Sequence, residues 1–316
     1  MGRNLELAIG ALNGTVGDYL ARTGNGLATS MAFIHRGAVL PLDPASLARA
    51  FPEASARVVV LVHGLMNTEH VWGRPDADDA PATDYGSNLT RDLGFTPLYV
   101  RYNSGLPIPD SGAALDALLT ALVAAWPTPL TELLPLGYSM GGLVVRSACH
   151  VAATSDHAWL TLVSRALYVG TPHLGAPLER LGRVVSKVLR AVPDPYTRLI
   201  ADIADLRSHG LQDLGDADLR HEDRARRRVS VSLRDPHHPV PLLPGLRHYL
   251  AAGTLVAAPW AAALFGDSVV PAPSATAASS GLPAAHVRLF PGMSHIALAH
   301  HPDVYDQLHV WLTEAP

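Results

Sequence analysis

The segment 133–146 constrains the fold of this chain more than any other, and it reads Leu-Leu-Pro-Leu-Gly-Tyr-Ser-Met-Gly-Gly-Leu-Val-Val-Arg. An apolar run leads into a Gly-x-Ser-x-Gly pattern, and an apolar helical pattern follows it. This order predicts a strand, a tight turn that carries Ser139, and a helix that begins directly after the serine. Gly137 and Gly141 leave the space that such a turn requires. The hydroxyl is therefore expected beside a helix N-terminus, where a developing negative charge is stabilised.

The composition is that of a globular protein with a large apolar core. Hydrophobic residues make up 48% of the 316 residues and charged residues only 16%, which predicts one large α/β domain or two smaller ones. The net charge of −4 gives no reason to expect nucleic acid as a partner. Cys149 is the only cysteine, so an intrachain disulfide is excluded, and its apolar neighbours predict a buried thiol.

Short aliphatic runs alternate with helical patterns along the chain. This alternation predicts an α/β fold with a mainly parallel sheet and right-handed crossovers. The nearly continuous apolar run at 58–62 is typical of a strand that is buried on both faces. The other predicted strands are 97–102, 132–136, 166–170, 249–254 and 287–290, and the predicted helices are 88–93, 113–125, 140–151 and 302–312.

Two segments do not follow this alternation. Residues 1–56 are expected to form an N-terminal helical extension packed on a catalytic domain at 57–316, because an apolar stripe with helical spacing runs to about Leu20. Residues from about 176 to 246 carry two amphipathic helical patterns, and their place in the chain predicts a helical cap over Ser139. Leu181 and Val185, on the apolar face of the first pattern, are expected to line an acyl pocket.

Export and membrane insertion are not expected from the sequence. The N-terminal apolar stretch is interrupted by Glu6 and has only Arg3 as a positive flank, which is unlike a secretory signal. No uninterrupted run of about 18 apolar residues occurs, so no transmembrane helix is expected. The prediction is a cytoplasmic protein whose membrane contact is at most peripheral.

A nucleophilic serine needs a base, and that base needs a carboxylate to orient it. His295 follows the last predicted strand and a Pro-Gly turn, so it is expected at the carboxyl end of the sheet, where ligands bind in open α/β folds. Asp267 lies between the last two predicted strands, which gives the chain order serine, acid, histidine. Asp235 is a weaker alternative for the acid because it lies further from a strand end.

Two backbone N–H groups are expected to form an oxyanion hole. Met140 directly follows the nucleophile, and Leu65 lies in the loop after the strand at 58–62. Gly64 permits a close approach of that loop. His63 precedes the serine in the chain and adjoins the loop, so a structural hydrogen-bonding role is expected for it rather than a role as the base.

No metal and no cofactor is expected. His295, His300 and His301 have neither an acidic ligand nor His-x₃-His spacing beside them, and the last two are expected at a helix start. The acidic loop from Asp76 to Asp84 is expected to be a solvated turn.

Taken in order, these motifs resemble those of α/β-hydrolase lipases and esterases, particularly bacterial triacylglycerol lipases and GPI-inositol-deacylase-like hydrolases. The resemblance implies an α/β-hydrolase fold over most of 57–314, with Ser139, Asp267 and His295 as a catalytic triad. Some secreted relatives carry a calcium-binding aspartate just after the histidine, whereas Ile296 and Ala297 occupy those positions here. The segments that carry the resemblance are 61–64, 137–142, 170–175, 266–271 and 294–295.

The predicted function is that of a serine carboxyl-ester hydrolase acting through an acyl-enzyme on a small-molecule or lipid ester. Short- and medium-chain acyl esters are the expected substrates. An acyltransferase that uses the same triad and a non-catalytic lipid-binding protein on the same fold are the alternatives.

Overall fold

The computed structural model describes residues 3–73, 84–174, 219–220, 241–254, 274, 276 and 281–314. Within them lies one sheet of eight strands: β1 (Ala32–His35), β2 (Ala38–Val39), β3 (Arg57–Val62), β4 (Thr96–Arg101), β5 (Glu132–Tyr138), β6 (Arg165–Val169), β7 (Arg247–Thr254) and β8 (Val287–Pro291). Their order across the sheet is β2-β1-β4-β3-β5-β6-β7-β8. The strands β3 to β8 are parallel, and β1 runs antiparallel to both β2 and β4.

Six α-helices accompany the sheet in the described residues: α1 (Arg3–Arg22), α2 (Pro44–Ala50), α3 (Tyr85–Leu93), α4 (Ile108–Ala125), α5 (Met140–Ser155) and α6 (Pro302–Thr313). Local signals set several ends. The side chains of Asp43 and Asp84 accept N–H bonds at the starts of α2 and α3. Gly94 ends α3 in the left-handed conformation with φ 69°.

The sheet separates two apolar cores. Along β3, Val58, Val60 and Val62 belong to the core beneath α4 and α5, whereas Val59 and Leu61 belong to the core beneath α3 and α6. Successive side chains of a strand point to opposite faces, so a strand buried on both sides has to be apolar throughout. The mainly parallel sheet flanked by helices that the sequence predicts is confirmed.

The N-terminal 56 residues differ from the helical extension that the sequence predicts. They contain α1 and α2, but β1 and β2 lie between these helices and extend the sheet. The strand β1 is four residues long and forms ladder bonds with β4, which lies more than sixty residues away in the chain. Such pairing depends on the rest of the sheet, and four residues carry too little pattern to show it.

The helix α1 is present as predicted, and Ala8 and Leu20 of the predicted apolar stripe are buried, whereas the first residue of the stripe is not. Leu5 is 48% exposed. The buried face is also rich in small residues, and the helix is interrupted at Val16, whose φ of −132° and ψ of 21° are not helical. This small-residue face is formed by Gly10, Gly14 and Gly17 together with the alanines at 8 and 11.

One described helix, α4, is long and apolar enough to cross a membrane by length and composition alone. Its residues Leu115, Leu119 and Leu122 are buried in the core that includes α5. A core helix of a globular protein meets the same criterion.

Candidate active site

Ser139 forms a strained turn between β5 and α5. Its φ of 53° and ψ of −126° lie in a region that L-residues rarely adopt. The turn is packed tightly against neighbouring backbone: a Cβ at Gly137 would lie 2.4 Å from Gly142 Cα, and one at Gly141 would lie 2.3 Å from the carbonyl oxygen of Val62. Only glycine fits at either position, as the Gly-x-Ser-x-Gly pattern predicts.

His295 lies next to this serine. Its Nε2 is 2.9 Å from Ser139 Oγ, and both residues are only 7% exposed. The histidine lies in the loop that follows β8, and a backbone turn at Gly170, after β6, approaches its ring. A serine hydroxyl can donate to Nε2 only when the neutral imidazole carries its proton on Nδ1.

Several predicted members of the site are not among the described residues. Asp267 and the alternative acid Asp235 lie outside the described residues. The same holds for Leu181 and Val185 and for most of the expected cap at 176–246, of which only 219–220 and 241–246 are described.

The two predicted oxyanion donors flank the serine. Met140 is the first residue of α5, where a backbone N–H has no acceptor within the helix. Leu65 belongs to the loop after β3. Its neighbour Gly64 lies so close to the serine that a Cβ added to this glycine would be 2.8 Å from Ser139 Cβ. Neither N–H has a hydrogen-bond acceptor in the described part of the chain. The next residue, Met66, has a φ of 60°, and its N–H donates to Ser104 Oγ at 2.9 Å.

The structural role predicted for His63 is confirmed. Burial lowers its pKa to about 4, so the ring is neutral at pH 7. Its Nδ1 lies 2.8 Å from the carbonyl oxygen of Gly64, and its Nε2 lies 3.3 Å from the N–H of Tyr102. The neutral ring therefore donates to one and accepts from the other, and it joins β3 to the end of β4.

Of the two other histidines near the last helix, His301 lies at the helix start, as expected. It is the N-cap of α6, and its Nδ1 accepts the N–H of Asp303 at 3.2 Å.

Glu6, Glu69 and His70 are the group in the described residues whose side chains lie close enough to share a metal ion. The guanidinium of Arg101 already forms ion pairs with both carboxylates, and His70 Nε2 lies 2.6 Å from Glu6 Oε2. Burial acts to raise the pKa of Glu6. The hydrogen bonds and the charge interactions with His70 and Arg101 outweigh this effect, so the pKa is lowered. A cation here would have to displace Arg101, so the cluster acts as an ion-pair network.

The sequence patterns predict no role for two aromatic residues of this region. The hydroxyl of Tyr138 donates to the carbonyl oxygen of His295 at 3.2 Å. The hydroxyl of Tyr85 lies 2.7 Å from the carbonyl oxygen of Leu298 and 3.0 Å from that of His301. These contacts join residues that are more than 150 positions apart in the chain, so no local sequence pattern predicts them.

A separate cavity of about 400 Å³ lies between α3 and α6. Its lining includes Tyr85, Arg91 and Asp92 and shares no residue with the pair of Ser139 and His295. The cavity is therefore not the space in which Ser139 would meet a substrate.

Comparison with known proteins gives structural relatives only. No protein-family model and no curated protein matches the sequence. The mature form of the Bacillus licheniformis lipase BlEst2 is similar over 82% of this chain and 92% of its own length, with a TM-score of 0.50 and 18% identity. The propeptide form of that lipase is similar over 83% of this chain, with a TM-score of 0.52 and 18% identity, and the chain covers 51% of its length.

The structural likeness and the sheet topology agree on the fold. The chain has the α/β-hydrolase fold, as the sequence motifs imply.

Proposed function

We propose that this protein is a serine carboxyl-ester hydrolase in which Ser139 is the nucleophile and His295 the general base. The observation that carries the proposal is the 2.9 Å distance from His295 Nε2 to Ser139 Oγ, at a strained turn that directly precedes the N-terminus of α5. A nucleophile and a base within hydrogen-bonding distance are the signature of covalent acyl transfer. The similarity to a lipase structure supports the fold on which this chemistry would occur.

The proposed reaction proceeds through an acyl-enzyme. Ser139 Oγ attacks the ester carbonyl carbon while His295 Nε2 takes the hydroxyl proton. The carbonyl oxygen becomes an oxyanion and accepts hydrogen bonds from the N–H groups of Leu65 and Met140. His295 then donates the proton to the leaving alcohol, and a water activated by the same imidazole releases the acid.

We assign the orienting carboxylate to Asp267, on the chain order serine, acid, histidine. It would hold the Nδ1–H tautomer of His295 and stabilise the imidazolium that forms during attack. No metal or cofactor takes part in this scheme.

The proposed substrates are short- and medium-chain acyl esters, small or carried by a lipid. Leu181 and Val185 are proposed to line the acyl pocket, because they lie on the apolar face of the first helical pattern of the expected cap. Burial contributes about 0.8 kcal/mol per methylene, so such a pocket would favour longer acyl chains until it is filled. The cytoplasmic location and the at most peripheral membrane contact expected from the sequence belong to the same proposal.

The proposal is tested by labelling with a fluorophosphonate and by a chain-length series of p-nitrophenyl esters. We expect one label per chain on Ser139, burst kinetics, and no label in Ser139→Ala. A second set of assays with an added alcohol acceptor separates hydrolysis from acyl transfer by the products. Protein that binds the esters without labelling or turnover would contradict the proposal and favour the lipid-binding alternative.

A further inference from the structure

Two buried tyrosine hydroxyls contact the backbone of the loop that carries His295. Tyr138 donates to the carbonyl oxygen of His295 itself, at 3.2 Å. Tyr85, the first residue of α3, contacts the carbonyl oxygens of Leu298 at 2.7 Å and His301 at 3.0 Å. Both tyrosines are 1% exposed. The loop is thus bonded at both ends to side chains that cannot exchange these contacts for water without opening the core.

The two tyrosines belong to one aromatic layer. The ring of Trp72 is fully buried, and its centroid lies 6.0 Å from that of Tyr85 and 6.1 Å from that of Tyr138. The ring of Tyr138 also packs on the imidazole of His295, with 5.2 Å between the centroids. Packing therefore fixes the direction in which each hydroxyl points.

We propose that Tyr138 and Tyr85 are positioning residues that keep the imidazole of His295 in line with Ser139 Oγ. Tyr138 precedes Ser139 in the chain, so its backbone leads directly into the nucleophile while its hydroxyl holds the backbone of the base. Tyr85 fixes the opposite end of the loop. The role rests on the proposed function, because it concerns the base of that reaction.

The proposed positioning role has a specific consequence for the protonation of the leaving group. The imidazolium of His295 must reach the oxygen of a leaving alcohol, since an alkoxide leaves poorly without a proton. A p-nitrophenolate leaves without one. Loosening the histidine loop should therefore slow the acylation step with an alkyl ester more than with a p-nitrophenyl ester of the same acyl chain.

The test uses Tyr138→Phe and Tyr85→Phe, which remove only the hydroxyls. The matched control is Tyr168→Phe, because Tyr168 is also 1% exposed and its hydroxyl bonds to His248 Nδ1 instead. For each protein, kcat/KM is measured for an ethyl ester and for the p-nitrophenyl ester, per site titrated by fluorophosphonate. We expect the ratio of ethyl to p-nitrophenyl kcat/KM to fall about 10-fold in Tyr138→Phe, less in Tyr85→Phe, and not at all in the control.

The outcomes separate the two proposals. An unchanged ratio in both variants, with the wild type active, would overturn the positioning role and leave the proposed function intact. An equal fall for both esters would show a merely structural role and would overturn it as well. Wild-type protein that neither labels nor hydrolyses either ester would overturn the proposed function and the positioning role with it.

Discussion

The strained backbone of Ser139 places its hydroxyl beside the imidazole of His295. A non-glycine residue with φ 53° and ψ −126° costs about 1–3 kcal/mol relative to relaxed backbone. The strained conformation persists because the turn packs against adjoining backbone at Gly137 and Gly141, and these contacts hold the backbone of Ser139 in place. The turn keeps the hydroxyl 2.9 Å from His295 Nε2, and nothing in the fold itself requires a side chain there.

Replacing Ser139 by glycine or by alanine separates strain from catalysis. Both variants should lose activity by a factor of about 10⁴ or more. Ser139→Gly should relieve the strain, and after the greater entropy of unfolded glycine is subtracted it should be about 1 kcal/mol more stable than Ser139→Ala. Urea unfolding of the two variants measures the difference, and a glycine variant no more stable than the alanine variant would contradict the interpretation.

The carboxylate assignment also belongs to the residue scale. We expect Asp267→Asn to lower kcat by a factor of about 10⁴, because an amide no longer favours the Nδ1–H tautomer of His295. Asp235→Asn is the matched control and should leave kcat within a factor of about two. The two variants are compared by turnover of one p-nitrophenyl ester and by far-UV circular dichroism. A loss that follows Asp235 instead would move the acid to that residue.

At the scale of elements, α1 packs on the loop that contains Leu65. A Cβ at Gly10 would lie 2.7 Å from Thr68 Cγ2, and one at Gly14 would lie 2.8 Å from the backbone N and Cα of Met66. At the far end of the helix, Asn103 Nδ2 donates to the carbonyl oxygen of Gly17 at 2.8 Å. Hence the helix that the sequence presents as an apolar extension contacts the loop of the proposed oxyanion hole through its smallest residues.

A single methyl group on this face should disturb that loop. In Gly14→Ala the new Cβ must push the backbone of Met66, so kcat/KM should fall about 10-fold and the free energy of unfolding by about 1–3 kcal/mol. Gly26→Ala is the control, because a Cβ at Gly26 would meet nothing within 4 Å. The measurements are ester turnover per titrated site and urea unfolding. Equal behaviour of the two variants would show that the packing does not reach the loop.

The charge network at the start of α1 should make its docking depend on pH. The bonds from His70 and Arg101 lower the pKa of Glu6 in the folded protein. A carboxylate whose pKa is lower in the folded than in the unfolded chain stabilises the fold at pH values above its unfolded pKa of about 4.3. That stabilisation is lost as the pH falls through the folded pKa. Wild type should therefore exceed Glu6→Gln in free energy of unfolding at pH 7, and the difference should shrink below about pH 4. A difference that is constant with pH would contradict this.

At the scale of the whole molecule, the sequence predicts what depends on local pattern. The parallel strands are apparent because strands such as β3 are apolar on both faces. Ser139 and His295 are apparent because each comes after a predicted strand, at the carboxyl end of the sheet. The strands β1 and β2 are missed because their pairing is set by β4. The glycines on the buried face of α1 are missed because glycine carries no hydrophobic signal, and Tyr85 is missed because its partners lie more than 200 residues away.

The single cysteine provides a measure of how the whole core opens. Cys149 lies on α5 in the core shared with α4, 3% exposed, and burial raises the pKa of its thiol to about 12. Relative to a free thiol, such a pKa lowers the thiolate fraction at pH 8 by roughly 10³. Native protein should therefore react with a disulfide reagent only on unfolding, with one thiol per chain and with rates that follow the unfolding equilibrium measured in urea. Because the proposed chemistry does not use the thiol, a reductant should leave ester turnover unchanged. Rapid modification of native protein would show that the helix pair α4 and α5 opens apart from the rest of the core.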